Sequence, residues 1–297
     1  MLDLTVYLTG PSVAELDHLV AVFLSLAPKG SVRMYKLAEL ADWRSTDQPE
    51  TTASVKVALA ESRWLPYLEP ARKRIREGRG FELRLWDGRG IDDPAGSYSL
   101  SLYGVHFRDR GVMSCARFLF PVGFDVARIV EASRDIAAWV RFKSGHGGLT
   151  FAYNPTYKAV AFEGIYYQSR RFWGIDVEDL EATLAARSPG LKTVSWITML
   201  GSALDLQTEL SQRLKEYSLK SRVELTDHPY GSVIVIGSQP VVGDVNRPGS
   251  IPEEYFQTSR ILEPAFIQDH PDFYTDFFTY PNTMNWIRRF IDPANWR

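Results

Sequence analysis

A chain of 297 residues, 45% hydrophobic and 24% charged, is long enough to bury a sizeable core without disulfide or metal staples. A formal net charge of -2 excludes a global electrostatic pull toward nucleic acid or an anionic membrane. Its one cysteine, Cys115, excludes an intrachain disulfide, and the neighbours Val112, Met113, Phe118 and Leu119 suit a buried thiol in a reducing compartment.

"LDLTVYLTG" alternates apolar and polar residues and stops at Gly10-Pro11, the pattern of a strand. It carries Asp3 and no basic leader, and the apolar run 19–27 is too short to span a bilayer, so the expected location is the cytoplasm. Ser12 is placed to cap a helix over 13–27, with Glu15 completing a capping box and Pro28 and Gly30 ending it. "VRMYKL" predicts a second strand, 41–53 a polar loop, and 66–77 a basic helix ending at Gly78. "FELRLWDG", "SYSLSLYGVHFR" and "VMSCARFLFPV" predict three antiparallel neighbours.

Residues 125–142 predict an amphipathic helix capped by Asp125, with Ile129, Ile136 and Val140 on its apolar stripe. "SGHGGLTF" reads as a helix C-cap and tight turn, because a phosphate-cradling loop would need a Lys and a hydroxyl residue opening a helix. "GLTFAYN" then returns as a strand, and "AVAFEGIYY" makes 154–170 a structured connection. Further on come a strand ending at Gly201, a helix over 203–216, a hairpin turning near Pro229 and Gly231, and a helix over 252–263. The aromatic tail 264–297 is expected to wrap over the body. The fold class is α+β, with mixed or antiparallel sheets and packed helices. One unit over 1–297 is expected, open to division into two similar halves, 1–153 and 154–297.

No two of the five histidines stand at ligand spacing, and HExxH, CxxC and GxSxG are absent, so no catalytic residue, metal or cofactor is assigned. The stretch 71–90 holds seven Arg or Lys against three acids and reads as the solvated face of a helix, with a nucleic-acid contact as the alternative. In "RRFWGIDVEDLEATLAARSPG" four acids follow an aromatic pair. Either Asp176 caps a helix whose positive end the acids favour, or the acids form a surface for a basic partner. In the tail, Asp269, Asp272 and Asp276 interleave with aromatics. The candidate partner surface is therefore Trp173, Asp176, Glu178, Asp179, Glu181, Asp269, Asp272, Tyr274 and Asp276. Trp173, with Trp196, also fits a core position, and Gly174, Gly201 and Gly243 fit turns.

"FKSGHGGLTFAYN", "RRFWGIDVEDL", "LKTVSWITMLG", "QPVVGDVNR" and "IPEEYFQTSRILEP", in this order, resemble the signature blocks of the bacterial type VI secretion immunity protein family. The likeness runs from about residue 97 to 290; the first 90 residues match in pattern only. It implies a non-enzymatic antidote that binds a cognate toxin, a cytoplasmic nuclease; the acidic stretches are expected to meet a basic surface on that toxin, and the near-neutral charge leaves no membrane and no direct nucleic-acid contact expected. It implies no particular contact residues. Two other readings stay open: an enzyme that disarms a toxin product, and a nucleic-acid-associated protein using 71–90.

Overall fold

The first strand, β1 (Leu2–Leu8), is buried at every residue, so it lies where both faces of a sheet are covered. Its alternation separates two kinds of interior, not core from solvent. In the computed structural model, residues 1–32, 34–39, 55–56, 64–88, 97–104, 113–153, 157–186, 190–202, 204, 208–274 and 276–296 are described. The predicted loop 41–53 lies outside them.

After β1 come α1 (Val13–Leu26), β2 (Met34–Glu39), β3 (Val55–Lys56), α2 (Trp64–Glu77), β4 (Phe81–Trp86), β5 (Ser99–Gly104), β6 (Ser114–Phe120), α3 (Val126–Trp139) and β7 (Phe142–Thr150). Then follow α4 (Lys158–Arg171), β8 (Ile175–Asp176), α5 (Leu180–Ala185), β9 (Ile197–Gly201), α6 (Thr208–Ser218), β10 (Val223–His228), β11 (Gly231–Ile236), α7 (Glu253–Leu262) and α8 (Asn282–Ile287). The fold is α+β, as the strand and helix patterns predicted. Among the described residues, no helix is long and apolar enough to cross a membrane.

Among the described residues, one sheet of eleven strands carries the order β10-β11-β9-β7-β1-β6-β5-β4-β2-β3, with β8 added beside β7. Among the described residues, every pairing between these strands is antiparallel except the short parallel step of β8 on β7. β7 hydrogen-bonds to β1 and to β9, so the sheet is continuous across residue 153.

Several local expectations are met atom by atom. The Ser12 hydroxyl accepts the Glu15 N–H at 3.2 Å, and the Glu15 carboxylate accepts the Ser12 N–H at 2.7 Å, closing the capping box. Asp125 caps α3 through the Ala127 N–H at 3.0 Å. Gly78 ends α2 at φ +65°, a left-handed position that favours glycine. The hairpin β10–β11 pairs His228 with Gly231 at its closed end.

The expected turn at residues 144–151 is overturned. The glycine-rich stretch is no turn but the interior of β7, where Gly145 pairs with Val6 and Met199 and Gly147 with Leu4 and Ile197. A Cβ on Gly145 would come within 2.8 Å of the Thr5 carbonyl oxygen, so strand packing needs these glycines.

The two faces of the sheet are covered by different parts of the chain. One face presents Leu2, Leu4 and Val6, Ala116 and Phe118, Leu100 and Leu102, and Leu83 and Leu85 to Leu16, Leu19 and Phe23 of α1 and Ile129 and Ile136 of α3. Each Leu, Val, Ile or Phe among them contributes about 1.5–3 kcal/mol by burial. The other face lies under α4 to α8 and the tail. Phe162, Trp173, Tyr255, Phe273, Phe278, Trp286 and Trp296 pack there against Leu200, Ile234 and Ile236. The tail wraps the body as expected.

Candidate functional site

Strand register builds a polar row on the second face. Ser101 lies opposite Arg117, Arg117 opposite Thr5, Thr5 opposite His146, and His146 opposite Thr198. Asp3 and Tyr7 stand two residues either side of Thr5 on the same face. The segment from β8 to α5 crosses above this row and lowers Asp176 and Glu178 onto it. Lys192 enters from the approach to β9.

A closed ionic cluster results. Lys192 Nζ donates to Asp176 Oδ2 at 2.9 Å, to Glu178 Oε2 at 2.6 Å and to the Val177 carbonyl at 3.2 Å. Tyr7 Oη donates to Glu178 Oε2 at 2.9 Å and Thr183 Oγ1 to Glu178 Oε1 at 2.9 Å. His146 Nε2 is 3.1 Å from Asp176 Oδ2, 3.5 Å from Glu178 Oε2 and 3.8 Å from Asp3 Oδ2. Arg117 places Nε 3.7 Å from Asp3 and donates through Nη2 to Thr150 Oγ1 at 3.1 Å. Three carboxylates thus face two permanent cations and one imidazole.

The environment sets the protonation of each group. Burial pushes the Asp3 carboxyl up to about 6, against the pull of His146 and Arg117. Burial would also raise Asp176, but Lys192 and His146 outweigh it and hold that carboxyl well below the usual range. Burial and the like charge of Asp176 would raise Glu178, but Lys192, His146 and Arg117 act against them and it is lowered. Lys192 is raised, its two carboxylates overcoming desolvation. Burial, then Glu178, drives the Cys115 thiol well above its ordinary value, so it stays protonated and unreactive at neutral pH.

Chemically, this arrangement neutralises itself. Ligand atoms of Asp3, His146 and Asp176 lie within 4.8 Å of one another, a spacing a metal could bridge. The Lys192 ammonium, between Asp176 and Glu178, already supplies the positive charge there. A cleft of about 230 Å³ opens nearby, lined by Tyr103, Arg117, Tyr153, Lys158, Asp179 and Glu181 among others. Lys158 bridges Asp179 at 2.9 Å and Glu181 at 2.8 Å across its wall.

Of the predicted partner surface, the structure separates interior from exterior. Trp173, Asp176, Glu178 and Asp179 are each no more than 3% exposed, so the expectation that these acids form a surface is corrected. Asp176 and Glu178 are drawn inward by Lys192. Asp179, not Asp176, caps α5, accepting the Ala182 N–H at 3.4 Å, and also accepts the Tyr274 N–H at 2.9 Å. Trp173 stacks edge-on against Phe290 in the core, its other expected role, and Trp196 is buried too. Glu181, Asp269, Asp272 and Asp276 are exposed, and Tyr274 is half-buried. The Asp179–Tyr274 bond and the Lys158–Glu181 pair bring the tail and α5 onto one surface.

Sequence reasoning missed Asp3, His146 and Lys192, and also Arg289. Arg289 is fully buried, donates to the Trp173 carbonyl at 2.9 Å and lies over the Trp286 ring at 4.1 Å, with desolvation lowering it to about 9. The usable signal was polar residues at single parity in an apolar strand, as Asp3 and Thr5 are in β1. The basic helix α2 is largely neutralised inside the chain: Arg72 pairs with Asp17 at 2.9 Å and Arg76 with Glu69 at 2.7 Å. That favours the solvated-face reading of 71–90.

The distinctive sequence blocks meet as scaffold. Trp173 and Gly174 donate their N–H groups to Gly243 and Val242, each at 3.0 Å, and Arg171 grips Asp244 through two bonds of 3.0 and 2.8 Å. Leu191 donates its N–H to the Ala265 carbonyl at 2.8 Å and accepts the Ile267 N–H at 2.9 Å.

A protein-family model described as type VI immunity for VRR-NUC matches residues 66–290, about three quarters of the chain. A solved Pseudomonas aeruginosa T6SS protein superposes with a TM-score of 0.75 at 17% identity, over 99% of this chain and 84% of that one, which shows a common fold. Among proteins of curated function, none matches.

Proposed function

Since this chain belongs to the family of type VI immunity proteins for VRR-NUC, we propose that it protects its producer by binding a cognate VRR-NUC toxin in a stoichiometric complex. The family match over residues 66–290 carries this reading. The structure supports a binder in one further respect: the groups best suited to acid–base chemistry are spent on one another inside the protein. Asp3, His146, Asp176, Glu178 and Lys192 are at most 3% exposed.

A nuclease must hold phosphates and so presents cationic side chains where nucleic acid binds. The exposed acids Glu181, Asp269, Asp272 and Asp276 are the groups assigned to meet such a surface. Charge of this kind speeds encounter and selects the partner, while a few buried anchors set the lifetime of the complex. The site of action is the cytoplasm, where the toxin would find nucleic acid.

The test is co-expression followed by binding kinetics. Cells making the VRR-NUC toxin should survive only with the chain present, and the two proteins should co-purify. Reversing Glu181, Asp269, Asp272 and Asp276 to Lys should slow association by about tenfold or more and flatten its salt dependence. Unchanged kinetics would remove these acids from the interface, and failure to rescue or co-purify would remove the toxin.

A further inference from the structure

Helix α4 carries a stripe that the fold itself does not use. Tyr157, at its entrance, is 66% exposed, Val160 74% and Tyr167 58%, and Tyr280 of the adjoining tail is 80% exposed. Single apolar side chains on a surface are ordinary. Here four of the eight exposed large hydrophobic residues among those described gather on one helix and the segment packed beside it, which is a patch. The packing is continuous: the Tyr167 ring lies 5.9 Å from Phe277, and Lys158 Nζ lies 5.1 Å from the Tyr274 ring and 2.8 Å from Glu181.

Gly164 sits within this stripe, four residues after Val160 and three before Tyr167, so the three share one helical face. A Cβ built on Gly164 would meet nothing within 4 Å. No neighbour in the chain requires a glycine there, and glycine inside a helix is less favourable than alanine. The chain therefore keeps a notch between two large exposed side chains at a cost to its own stability.

The rim of the patch is acidic. Glu163 and Glu181 are exposed beside it, as are Asp272 and Asp276. The nearby cations are engaged within the protein, Lys158 by Asp179 and Glu181, Arg171 by Asp244, and Arg170 over the Tyr166 and Trp296 rings. An apolar, tyrosine-bearing centre with a charged rim is the anatomy of a specific protein interface.

Building on the toxin-binding reading, we infer that α4 and tail residues 272–274 and 276–280 form the docking face for the VRR-NUC toxin. An element of the toxin seats against Gly164, between Val160 and Tyr167, and the acidic rim meets the toxin's basic surface.

The experiment measures affinity for a catalytically inactive VRR-NUC toxin domain by calorimetry, with Tm and oligomeric state of the free chain measured in parallel. Gly164→Ala should raise Tm and weaken binding several-fold, a combination that a purely structural role would not produce. Gly164→Arg should leave Tm within a few degrees and weaken binding by about 100-fold, as truncation or blocking of a central anchor does. Leu219→Ala, in the turn that follows α6, should bind as wild type. Wild-type affinity in Gly164→Arg would overturn the docking face while leaving toxin binding intact. A dimer that Gly164→Arg dissociates without loss of toxin affinity would assign the patch to a second copy and also overturn it. No binding by the unaltered chain would instead sink the toxin-binding reading on which the inference rests.

Discussion

The sheet face under α1 to α3 and the face under α4 to α8 are both removed from water, by opposite means. Leu4, Val6 and Phe118 on the first are fully buried and need only fitting neighbours. On the second, Asp3 and Thr5 alternate with Leu4 and Val6 along β1 and His146 lies beside Thr5 on β7, all buried, and each depends on named partners. The first face tolerates any replacement of similar shape and volume. The second fails when one charge is left without its counter-charge, because the desolvation has already been incurred.

The largest expected effect is at the centre of that contrast. Lys192→Met should cost about 3–5 kcal/mol in urea unfolding, since Asp176 and Glu178 would remain buried without their shared cation. Leu4→Ala on the apolar face should cost about 2–5 kcal/mol through its cavity, with no dependence on acid pH. If Lys192→Met unfolds at the same urea concentration as the wild type, the ionic face is not held by that cation.

The two buried aspartates should then part company. Asp176 is held ionised well below its ordinary 3.8, so its contribution is present above that value and disappears only as pH falls through its folded range. Asp176→Asn should therefore destabilise at neutral pH. Asp3 is raised to about 6, so its favourable contribution is complete below 3.8 and is lost as pH rises through about 6. Asp3→Asn should therefore compare more favourably with the wild type at pH 7 than at pH 4, the reverse of the trend for Asp176→Asn. Parallel stability curves for the two variants would contradict this assignment.

The smallest effect belongs to the cap of α1. Glu15 is buried, yet bonds from Arg141 and the Ser12 N–H bring it down to about 2. Glu15→Gln should cost about 1 kcal/mol at pH 7, and the difference should shrink as pH falls from 4.5 toward 2. A deficit that persists at pH 2 would show that the capping charge is not its source.

Features closed within a few residues were legible in the sequence. The capping box of Ser12 and Glu15, the Asp125 cap and the β10–β11 hairpin depend on neighbours in the chain. The ionic cluster was not legible, because its partners are distant: Tyr7 meets Glu178 across 171 positions. An acidic run looks the same whether it faces solvent or a lysine that enters 14 residues later from another segment. The glycines of β7 read as a turn for a related reason, since the carbonyls that Gly145 and Gly147 must admit belong to Thr5 and Asp3 of β1. The acids of 269–276 were legible as surface, while the patch on α4 emerged only when Tyr157, Val160, Gly164 and Tyr167 were seen to stay uncovered.

The central claim is that this protein acts by occupying its toxin. The most direct measurement is a titration of VRR-NUC nuclease activity with increasing amounts of the purified chain. Activity should fall in proportion to the amount added and reach its floor at a fixed stoichiometric ratio, with release of active nuclease on dissociation of the complex. Loss of activity at a small fraction of that ratio, growing with incubation time and not reversed by dissociation, would mean that the chain turns over a substrate and would contradict the account.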